Sequence, residues 1–369
     1  MRLERLSLFL VELPLVAPFA TSFGEERTKQ ALLVSLTADG VMGWGECVAG
    51  SGPWYSWETV ETARYVIAEY IRPLLSGRKA FGHPSELPAA LAPIRGHGMA
   101  KAAVEAALWD LYARLQRKPL YQLLGGVREA VPAGVSVGIQ PDIPSLLAAV
   151  EGYVAEGYQR IKLKIKPGWD VEPLRAVRER FPNVLLSVDA NAAYTLADLP
   201  TLRELDRFGL LMLEQPLHFE DLLEHAQLAR ELATPICLDE SITSARRARE
   251  ALALGACRII NVKQGRVGGL TEALEIHALA LERRIPLWCG GMLETGIGRA
   301  LNVHLATLPG FTLPHDISAT KRYFREDIAD PPFELRDGHL PVPQRPGLGV
   351  EINWDRLLRS ATWSRTWKL

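Results

Sequence analysis

Five ionisable residues recur through the middle of the chain at intervals of 24 or 25 residues, and each ends a short apolar run typical of a β-strand. They are Lys164, Asp189, Glu214, Asp239 and Lys263. One strand, one helix and two turns occupy about this length, so we expect the five side chains to project from the same end of five consecutive parallel strands. The order of a lysine, three carboxylates and a second lysine predicts a metal site flanked by two bases.

The three carboxylates predict a site for a hard divalent cation. Brought together without a cation they would repel one another, and the pKa of at least one would have to rise steeply. Oxygen ligands favour Mg²⁺ (or Mn²⁺) over zinc, which prefers nitrogen and sulfur. Each carboxylate could instead cap the helix after its strand, but the common spacing favours metal binding by Asp189, Glu214 and Asp239 together.

The two lysines lie on strands that flank the carboxylate-bearing strands, so we expect Lys164 and Lys263 to face each other across a bound substrate. A lysine near a divalent cation and shielded from water can have a lowered pKa and accept a proton. The natural proton is one on a carbon next to a carboxylate, because the resulting enolate places its charge on oxygens that a metal can hold. Racemisation and β-elimination share this intermediate, and the lysines alone leave both open.

Composition favours a small soluble ligand as partner, and the chemistry of the five residues makes this a small-molecule carboxylate substrate. With 42 basic and 43 acidic residues the net charge is −1, which gives no electrostatic reason to expect nucleic acid or a membrane. No apolar run approaches the roughly 20 residues that span a bilayer, and Glu12 interrupts the apolar N-terminal stretch, which argues against a signal peptide. We therefore expect a cytoplasmic protein. The four cysteines show no spacing typical of disulfides or structural zinc.

Hydrophobic periodicity predicts two modules and a tail. Residues 1–125 combine strand patterns at 3–11, 31–37 and 41–46 with helical patterns at 57–74 and 99–115, which predicts an α+β capping domain. Residues 126–320 alternate strands with helices, and 321–369 form a tail that we expect to return to the cap. The predicted barrel strands are 133–138, 160–165, 184–189, 211–214, 235–239, 258–263, 285–290 and 311–314. The fold class is therefore α/β, a modified TIM barrel of the form (β/α)7β whose last helix is absent.

Several motifs resemble those of one family over essentially the whole chain. Lys162-Leu163-Lys164, Asp189-Ala190-Asn191, Glu214-Gln215-Pro216, Asp239-Glu240-Ser241 and residues 263–269 resemble the motifs of the enolase superfamily, muconate-lactonising subgroup. Residues 289–300 and 311–316 are most similar to o-succinylbenzoate synthases that also act as N-succinylamino acid (N-acylamino acid) racemases. The resemblance implies Lys164 and Lys263 as the acid/base pair, the three carboxylates as ligands of Mg²⁺, and a homo-oligomer.

The resemblance also implies a set of supporting residues. Lys162 and Asn191 would help to hold the substrate carboxylate and the metal ligands, and Glu240 would lie behind Asp239. Phe19, Phe23 and Tyr55 would lie on cap loops that close over the barrel mouth and exclude water, although they could be ordinary core. Ser136 and Met292 are expected to line the pocket. We expect Arg266, a cation close to Lys263, to depress the pKa of that lysine.

Related activities are distinguished by the strand ends. A mandelate-racemase-like site would have a histidine after strand seven, where this chain has Trp288 and Cys289. A dipeptide epimerase would show paired aspartates after strand eight, where Asp316 stands with Ile317. Muconate cycloisomerase or dipeptide epimerase remains the alternative, and a non-catalytic barrel scaffold is the remote one. The role of His315 is open, as is the choice between menaquinone biosynthesis and D-amino acid metabolism.

Overall fold

The computed structural model describes residues 1–78 and 80–369. Residues near both ends of the chain build one antiparallel sheet, which forms the cap. In spatial order its strands are Ala361–Lys368, Arg5–Thr21, Gly24–Ala38 and Val41–Cys47. The tail strand pairs with the first strand from Arg5 to Val11. The predicted return of the tail to the cap is therefore confirmed.

The first strand extends to Thr21, well beyond the predicted end at residue 11. The predicted strand ended where Glu12 interrupts the apolar pattern, and the observed strand continues through Pro14 and Pro18, although proline removes a ladder hydrogen bond from a central strand. Past Val11 the tail strand no longer pairs with this strand, which becomes a sheet edge where proline is tolerated. The register with the second strand shifts between Pro14 and Phe19, and the hairpin then turns at Ser22 and Phe23.

The cap helix Gly98–Leu115, predicted at 99–115, packs directly on the strand Val41–Cys47. A Cβ atom at Gly43 would lie 2.3 Å from the backbone nitrogen of Leu111, and one at Gly45 would lie 2.1 Å from the carbonyl oxygen of Ala103. Only glycine permits this close approach of helix and strand. The helix predicted at 57–74 is instead divided into three pieces. These are Val60–Val66, a π-helical turn Ile67–Ile71 and Arg72–Ser76, and the remaining short cap helices are Leu87–Ala90 and Leu120–Leu124.

Seven parallel strands form a curled sheet in which each strand neighbours the next along the chain. They are Gly134–Val137, Arg160–Lys164, Leu186–Asp189, Leu213–Glu214, Ile236–Leu238, Ile259–Val262 and Leu287–Cys289, here barrel strands one to seven. Every residue of these strands is buried, as expected for a parallel sheet covered by helices. The sheet therefore brings the ends of strands two to six together at one rim.

The predicted eighth strand, 311–314, is not a regular strand. It is reduced to isolated bridges, in which the Thr312 N–H donates to the Leu287 carbonyl at 3.0 Å and the Gly134 N–H donates to the His315 carbonyl at 2.6 Å. Pro314 has no N–H to continue a ladder. The segment nevertheless bonds to strand seven on one side and to strand one on the other, so it closes the ring.

Helices cover the outside of the barrel. They are Ile143–Ala155, Val171–Arg180, Leu199–Glu204, Leu223–Leu228, Ala245–Leu254, Gln264–Val267, Leu270–Arg283 and Gly296–Ala306, and the tail adds Trp354–Ser360. Only the short turn Thr320–Arg322 follows the closing segment before the tail, as the (β/α)7β prediction requires. Short pairs join Ala130–Pro132 to His339–Pro341 and Ala329–Asp330 to Glu351–Ile352. Among the residues described, no helix combines the length and apolar character needed to cross a membrane.

The cap is joined to the barrel by the carboxylate of Glu46, at the end of the third cap strand. Its oxygens accept hydrogen bonds from the backbone N–H groups of Thr295 at 3.1 Å and Gly298 at 2.9 Å, at the start of the helix Gly296–Ala306. A helix N-terminus favours such an acceptor. Burial raises the pKa of Glu46 to about 7 despite the hydrogen bond from the Thr295 hydroxyl.

Candidate active site

The five residues of the sequence register lie at one rim of the barrel. Lys164 is the register partner of Asp189, and Asp189 is the register partner of Glu214, so three of the five stand side by side on strands two to four. Asp239 and Lys263 directly follow strands five and six. None of the five is more than 8% exposed. The sequence prediction that these side chains converge at the strand ends is therefore confirmed.

Both flanking lysines are paired with carboxylates of the row. Nζ of Lys164 lies 2.7 Å from Oδ2 of Asp189 and 2.6 Å from Oδ1 of Asn191. Nζ of Lys263 lies 2.8 Å from Oδ2 of Asp239. Burial raises the pKa of Asp189, but the attraction of Lys164 and Lys162 outweighs it, and the net pKa lies below the ordinary range of an aspartate.

Lys162 is the hub of the carboxylate cluster. Its Nζ lies 2.7 Å from Glu214, 3.1 Å from Asp189 and 2.5 Å from Asp316. Burial lowers the pKa of this ammonium, but the attraction of Asp316 and Glu214 raises it by a larger amount. The net pKa is therefore above the ordinary lysine value. Lys162 is therefore a permanent cation that holds three carboxylates in place.

The carboxylates do not form a finished metal cage. Within residues 1–78 and 80–369, no group of three or more His, Cys, Asp or Glu side chains is arranged to hold a metal ion. The donor chemistry nevertheless fits a hard cation, since three buried carboxylates stand on neighbouring strands. Oε2 of Glu240 is buried without a hydrogen-bond partner among the described residues. Burial and repulsion from Asp189 raise the pKa of Glu240 to about 7 and also raise that of Glu214, and a divalent cation would relieve this repulsion.

Four residues that support the cluster were not predicted to do so from the sequence. They are Arg160, Asn261, Trp288 and Asp316, of which Trp288 and Asp316 were noted only as markers that distinguish related activities. Asn261 donates to Oε1 of Glu214 at 2.7 Å, and Arg160 pairs with Asp316 at 2.5 Å. The side chains of Arg160 and Lys162 each lie 4.8 Å from the ring centroid of Trp288, which forms a floor beneath them. Strand alternation could have found Arg160, because residues 160, 162 and 164 share one face of strand two.

His315 has a structural role that the sequence left open. Its Nδ1 accepts a hydrogen bond from the Cys289 N–H at 3.1 Å, which ties the closing segment to strand seven. Burial, together with repulsion from Arg160, lowers the pKa of His315 to about 3. The ring is therefore neutral, and its hydrogen bond to strand seven fixes the closing segment next to Asp316.

The cap covers the rim and encloses a cavity of about 390 Å³. Of the predicted pocket residues, those lining this cavity are Phe19, Phe23, Tyr55, Ser136, Lys162, Lys164, Asn191, Lys263 and Met292. The Ile139 N–H donates to the Ala20 carbonyl at 3.0 Å, so the first cap hairpin is docked on the barrel. Oγ of Ser136 is buried without a partner among the described residues, which leaves it available to a ligand.

Tyr55 and Arg266 connect the cap to the Lys263 side of the cluster. The Tyr55 hydroxyl lies 3.1 Å from Oδ1 of Asp239 and 3.2 Å from Nζ of Lys263. Arg266 pairs with Asp239 and donates from Nη2 to the Asn261 carbonyl at 2.6 Å. Arg266 and Glu240 do not line the 390 Å³ cavity and border a neighbouring one behind Tyr55.

The expected depression of the pKa of Lys263 by Arg266 is not found. Burial lowers this pKa, but the attraction of Tyr55, Glu240 and other acidic groups outweighs burial, and the net pKa is raised. Arg266 faces Asp239, whose carboxylate lies between the two cations. The attraction of the acidic groups around Lys263 therefore exceeds the repulsion from Arg266 that the sequence argument assumed.

Family models match both parts of the chain. A model described as enolase C-terminal domain-like matches residues 145–356, and the mandelate racemase / muconate lactonizing enzyme N-terminal domain matches residues 5–125. A solved member of the enolase superfamily from Listeria innocua superposes with a TM-score of 0.95 at 42% identity and covers 99% of both chains.

Curated relatives place the resemblance more narrowly. The o-succinylbenzoate synthase of Geobacillus kaustophilus is 54% identical over 93% of this chain and 92% of that protein. The N-succinylamino acid racemase of Thermus thermophilus is 52% identical over 99% of both. Muconate cycloisomerase 1 of Rhodococcus opacus is more distant, at 30% identity over 96% of both. The resemblance inferred from the motifs is confirmed, and the chain belongs to the enolase superfamily as an enzyme of the mandelate racemase / muconate lactonizing enzyme family.

Proposed function

We propose that this enzyme removes the proton α to a substrate carboxylate and forms an enolate between Lys164 and Lys263. The observation that carries the proposal is that both lysines line one cavity, at the ends of strands two and six, with the three carboxylate-bearing strands between them. This arrangement gives a base for each face of a planar enolate. Lys164 would act on one face and Lys263 on the other.

The resident metal belongs to the same proposal. Asp189, Glu214 and Asp239 would hold Mg²⁺ (or Mn²⁺), which when bound supplies positive charge for the carboxylate oxygens on which the enolate charge gathers. Asn191 would orient Lys164, to which it is hydrogen-bonded. Lys162 would fix the substrate carboxylate and the metal ligands. Glu240 would support the ligands through Asn191, because its Oε1 accepts a hydrogen bond from Nδ2 of Asn191 at 2.9 Å.

The proposed reactions are dehydration to o-succinylbenzoate, racemisation of N-succinylamino acids and other N-acylamino acids, or both. The activities of the relatives at 54% and 52% identity, an o-succinylbenzoate synthase and an N-succinylamino acid racemase, support this pair. Asp316, the single aspartate in the closing segment, is held by Arg160 and Lys162 and is not free to bind a substrate ammonium. This contact favours an N-acyl substrate over the free amine of a dipeptide. Action in the cytoplasm and as a homo-oligomer remains a prediction from sequence.

Deuterium exchange tests the proposal directly. The protein is incubated with Mg²⁺ in D₂O with each enantiomer of several N-succinyl and N-acetyl amino acids, and the α-position is followed by NMR. Dehydration of the cyclohexadiene precursor of o-succinylbenzoate is measured in parallel, with EDTA-treated protein as the control for metal. Exchange or dehydration that needs Mg²⁺ is expected. Absence of both reactions would overturn the substrate assignment, and activity with a muconate instead would support the alternative.

A further inference from the structure

The cap contributes a buried cation to the same cavity. Lys29 lies in the strand Gly24–Ala38, is only 2% exposed and lines the 390 Å³ cavity together with Lys164 and Lys263. Its sequence neighbours Arg27 and Thr28 are exposed. The ammonium of Lys29 is therefore brought inside by the fold of the cap, and it does not lie on the outer surface as the polar run 24–30 suggests.

Lys29 differs from the lysines of the barrel rim in having no fixed partner. Each of Lys162, Lys164 and Lys263 lies within 3.1 Å of a carboxylate. Among residues 1–78 and 80–369, the side chain of Lys29 makes no hydrogen bond and no ion pair within 4.0 Å. An ammonium that borders the cavity without a partner in the protein is suited to an anion that arrives with the ligand.

None of the acidic residues around Lys29 forms an ion pair with it in the part of the chain that the structure describes. Glu46 is a buried acid that interacts electrostatically with Lys29. Its carboxylate oxygens, however, accept hydrogen bonds from the backbone N–H groups of Thr295 and Gly298. Glu25 also lines the cavity and pairs with Arg27 at 2.7 Å on the exposed side. Glu26 is half-buried in the same cavity wall.

We propose that Lys29 binds a second carboxylate of the substrate, at the far end of its acyl chain from the reacting carbon. This inference rests on the proposed function and names the substrate class within it, a dicarboxylate whose acyl arm ends in a charged group. Cations line the cavity from both parts of the molecule, with Lys164 and Lys263 on the barrel and Lys29 on the cap, and Phe19, Phe23 and Met292 also line its wall. The succinyl groups in the two proposed substrates have this form, an apolar spacer with a terminal carboxylate.

The test compares two acyl groups of equal length that differ in charge. Racemisation of N-succinyl-phenylalanine and N-butanoyl-phenylalanine is measured for the wild type, Lys29→Met, Lys29→Arg and Lys118→Met, the last at an exposed lysine outside the cavity. A charge-assisted hydrogen bond contributes enough that Lys29→Met should raise KM for the succinyl substrate about 10-fold to 100-fold, with KM for the butanoyl substrate unchanged. Lys29→Arg should restore part of the loss, and Lys118→Met should not raise KM for the succinyl substrate.

Equal changes for the two substrates in Lys29→Met, or no change for the succinyl substrate, would overturn the inference. Circular dichroism and the Tm of each variant identify a folding defect, and Lys29→Arg retains the charge if Lys29→Met does not fold. If the wild type acts on neither substrate, the proposed function fails, and Lys29 is then tested by binding alone. In that case glutarate should raise the Tm of the wild type but not of Lys29→Met or Lys29→Gln, and an equal shift in all three would contradict the site.

Discussion

The hydroxyl oxygen of Tyr55 lies 3.2 Å from Nζ of Lys263, so a cap residue forms a direct hydrogen bond with a proposed base of the barrel. The same ammonium lies 4.5 Å from the centroid of the Tyr55 ring. A residue of the cap therefore helps to hold Lys263 in place. Tyr55 is a positioning residue, because it acts on the substrate side of the site through Lys263.

Removal of this hydroxyl should impair one face of the reaction. In Tyr55→Phe the ring remains but the hydrogen bonds to Lys263 and Asp239 are lost. We expect kcat to fall about 10-fold, with a larger loss of α-exchange for the enantiomer whose proton faces Lys263. Exchange rates for both enantiomers measure the effect. Tyr65→Phe, at an exposed tyrosine of the cap, is the control and should leave both rates unchanged. An equal loss from both enantiomers would contradict a specific action on Lys263.

Metal binding should stabilise the folded protein. A ligand that binds only the folded state at 100 times its Kd adds about 2.7 kcal/mol to the free energy of unfolding. We expect Mg²⁺ to raise the Tm of chelator-treated wild type, and the shift to disappear in Asp239→Asn and in Glu214→Gln. Glu250→Gln removes a surface acid that pairs with Arg246 and should keep the full shift. A shift of equal size in all variants would show that Mg²⁺ binds elsewhere.

Acid should destabilise the protein partly through His304. Its Nδ1 accepts from the Tyr121 N–H at 3.2 Å and its Nε2 donates to the Leu348 carbonyl at 3.1 Å, so only the neutral ring fits. Burial lowers the pKa of His304 to about 4, below the value of about 6.5 in the unfolded chain. The unfolded chain therefore takes up the proton first. The contribution of neutral His304 to the free energy of unfolding is complete above pH 6.5. It declines as the pH falls towards 4, by at most about 3 kcal/mol.

Urea unfolding at pH 7 and pH 4.5 measures this contribution. His304→Gln can donate and accept but does not titrate, so its free energy of unfolding should fall less between the two pH values than that of the wild type. His339→Gln, at a residue outside the core, should follow the wild-type decline. Parallel declines in the wild type and His304→Gln would refute the assignment.

The sequence predicted the positions of functional residues correctly where these residues lie at the ends of regular strands. Residues 164, 189, 214, 239 and 263 share a position at strand ends, and one register was enough to bring them together. Asp316 could not be found in this way because it lies in the irregular closing segment, where Pro314 interrupts the ladder. Arg160 was within reach, since it alternates with Lys162 and Lys164 on one strand face.

Other features depend on contacts distant in sequence. The first cap strand passes through Pro14 and Pro18 because the tail strand ends beside Val11, which a local pattern cannot show. The burial of Lys29 depends on the barrel and cap loops that close its cavity. The raised pKa of Lys263 reflects acidic groups from the cap and from neighbouring strands, and it reverses the expectation based on Arg266 alone.

The central claim is that Lys164 and Lys263 act on opposite faces of one enolate. It is tested most directly by α-deuterium exchange with each enantiomer of an N-succinyl amino acid in Lys164→Ala and Lys263→Ala, with the exposed Lys166→Ala as control. Each catalytic variant should lose racemisation and, by about 100-fold to 10,000-fold, exchange from one enantiomer, and the two variants should affect opposite enantiomers. Exchange that persists at the wild-type rate from both enantiomers in Lys164→Ala would contradict the two-base account.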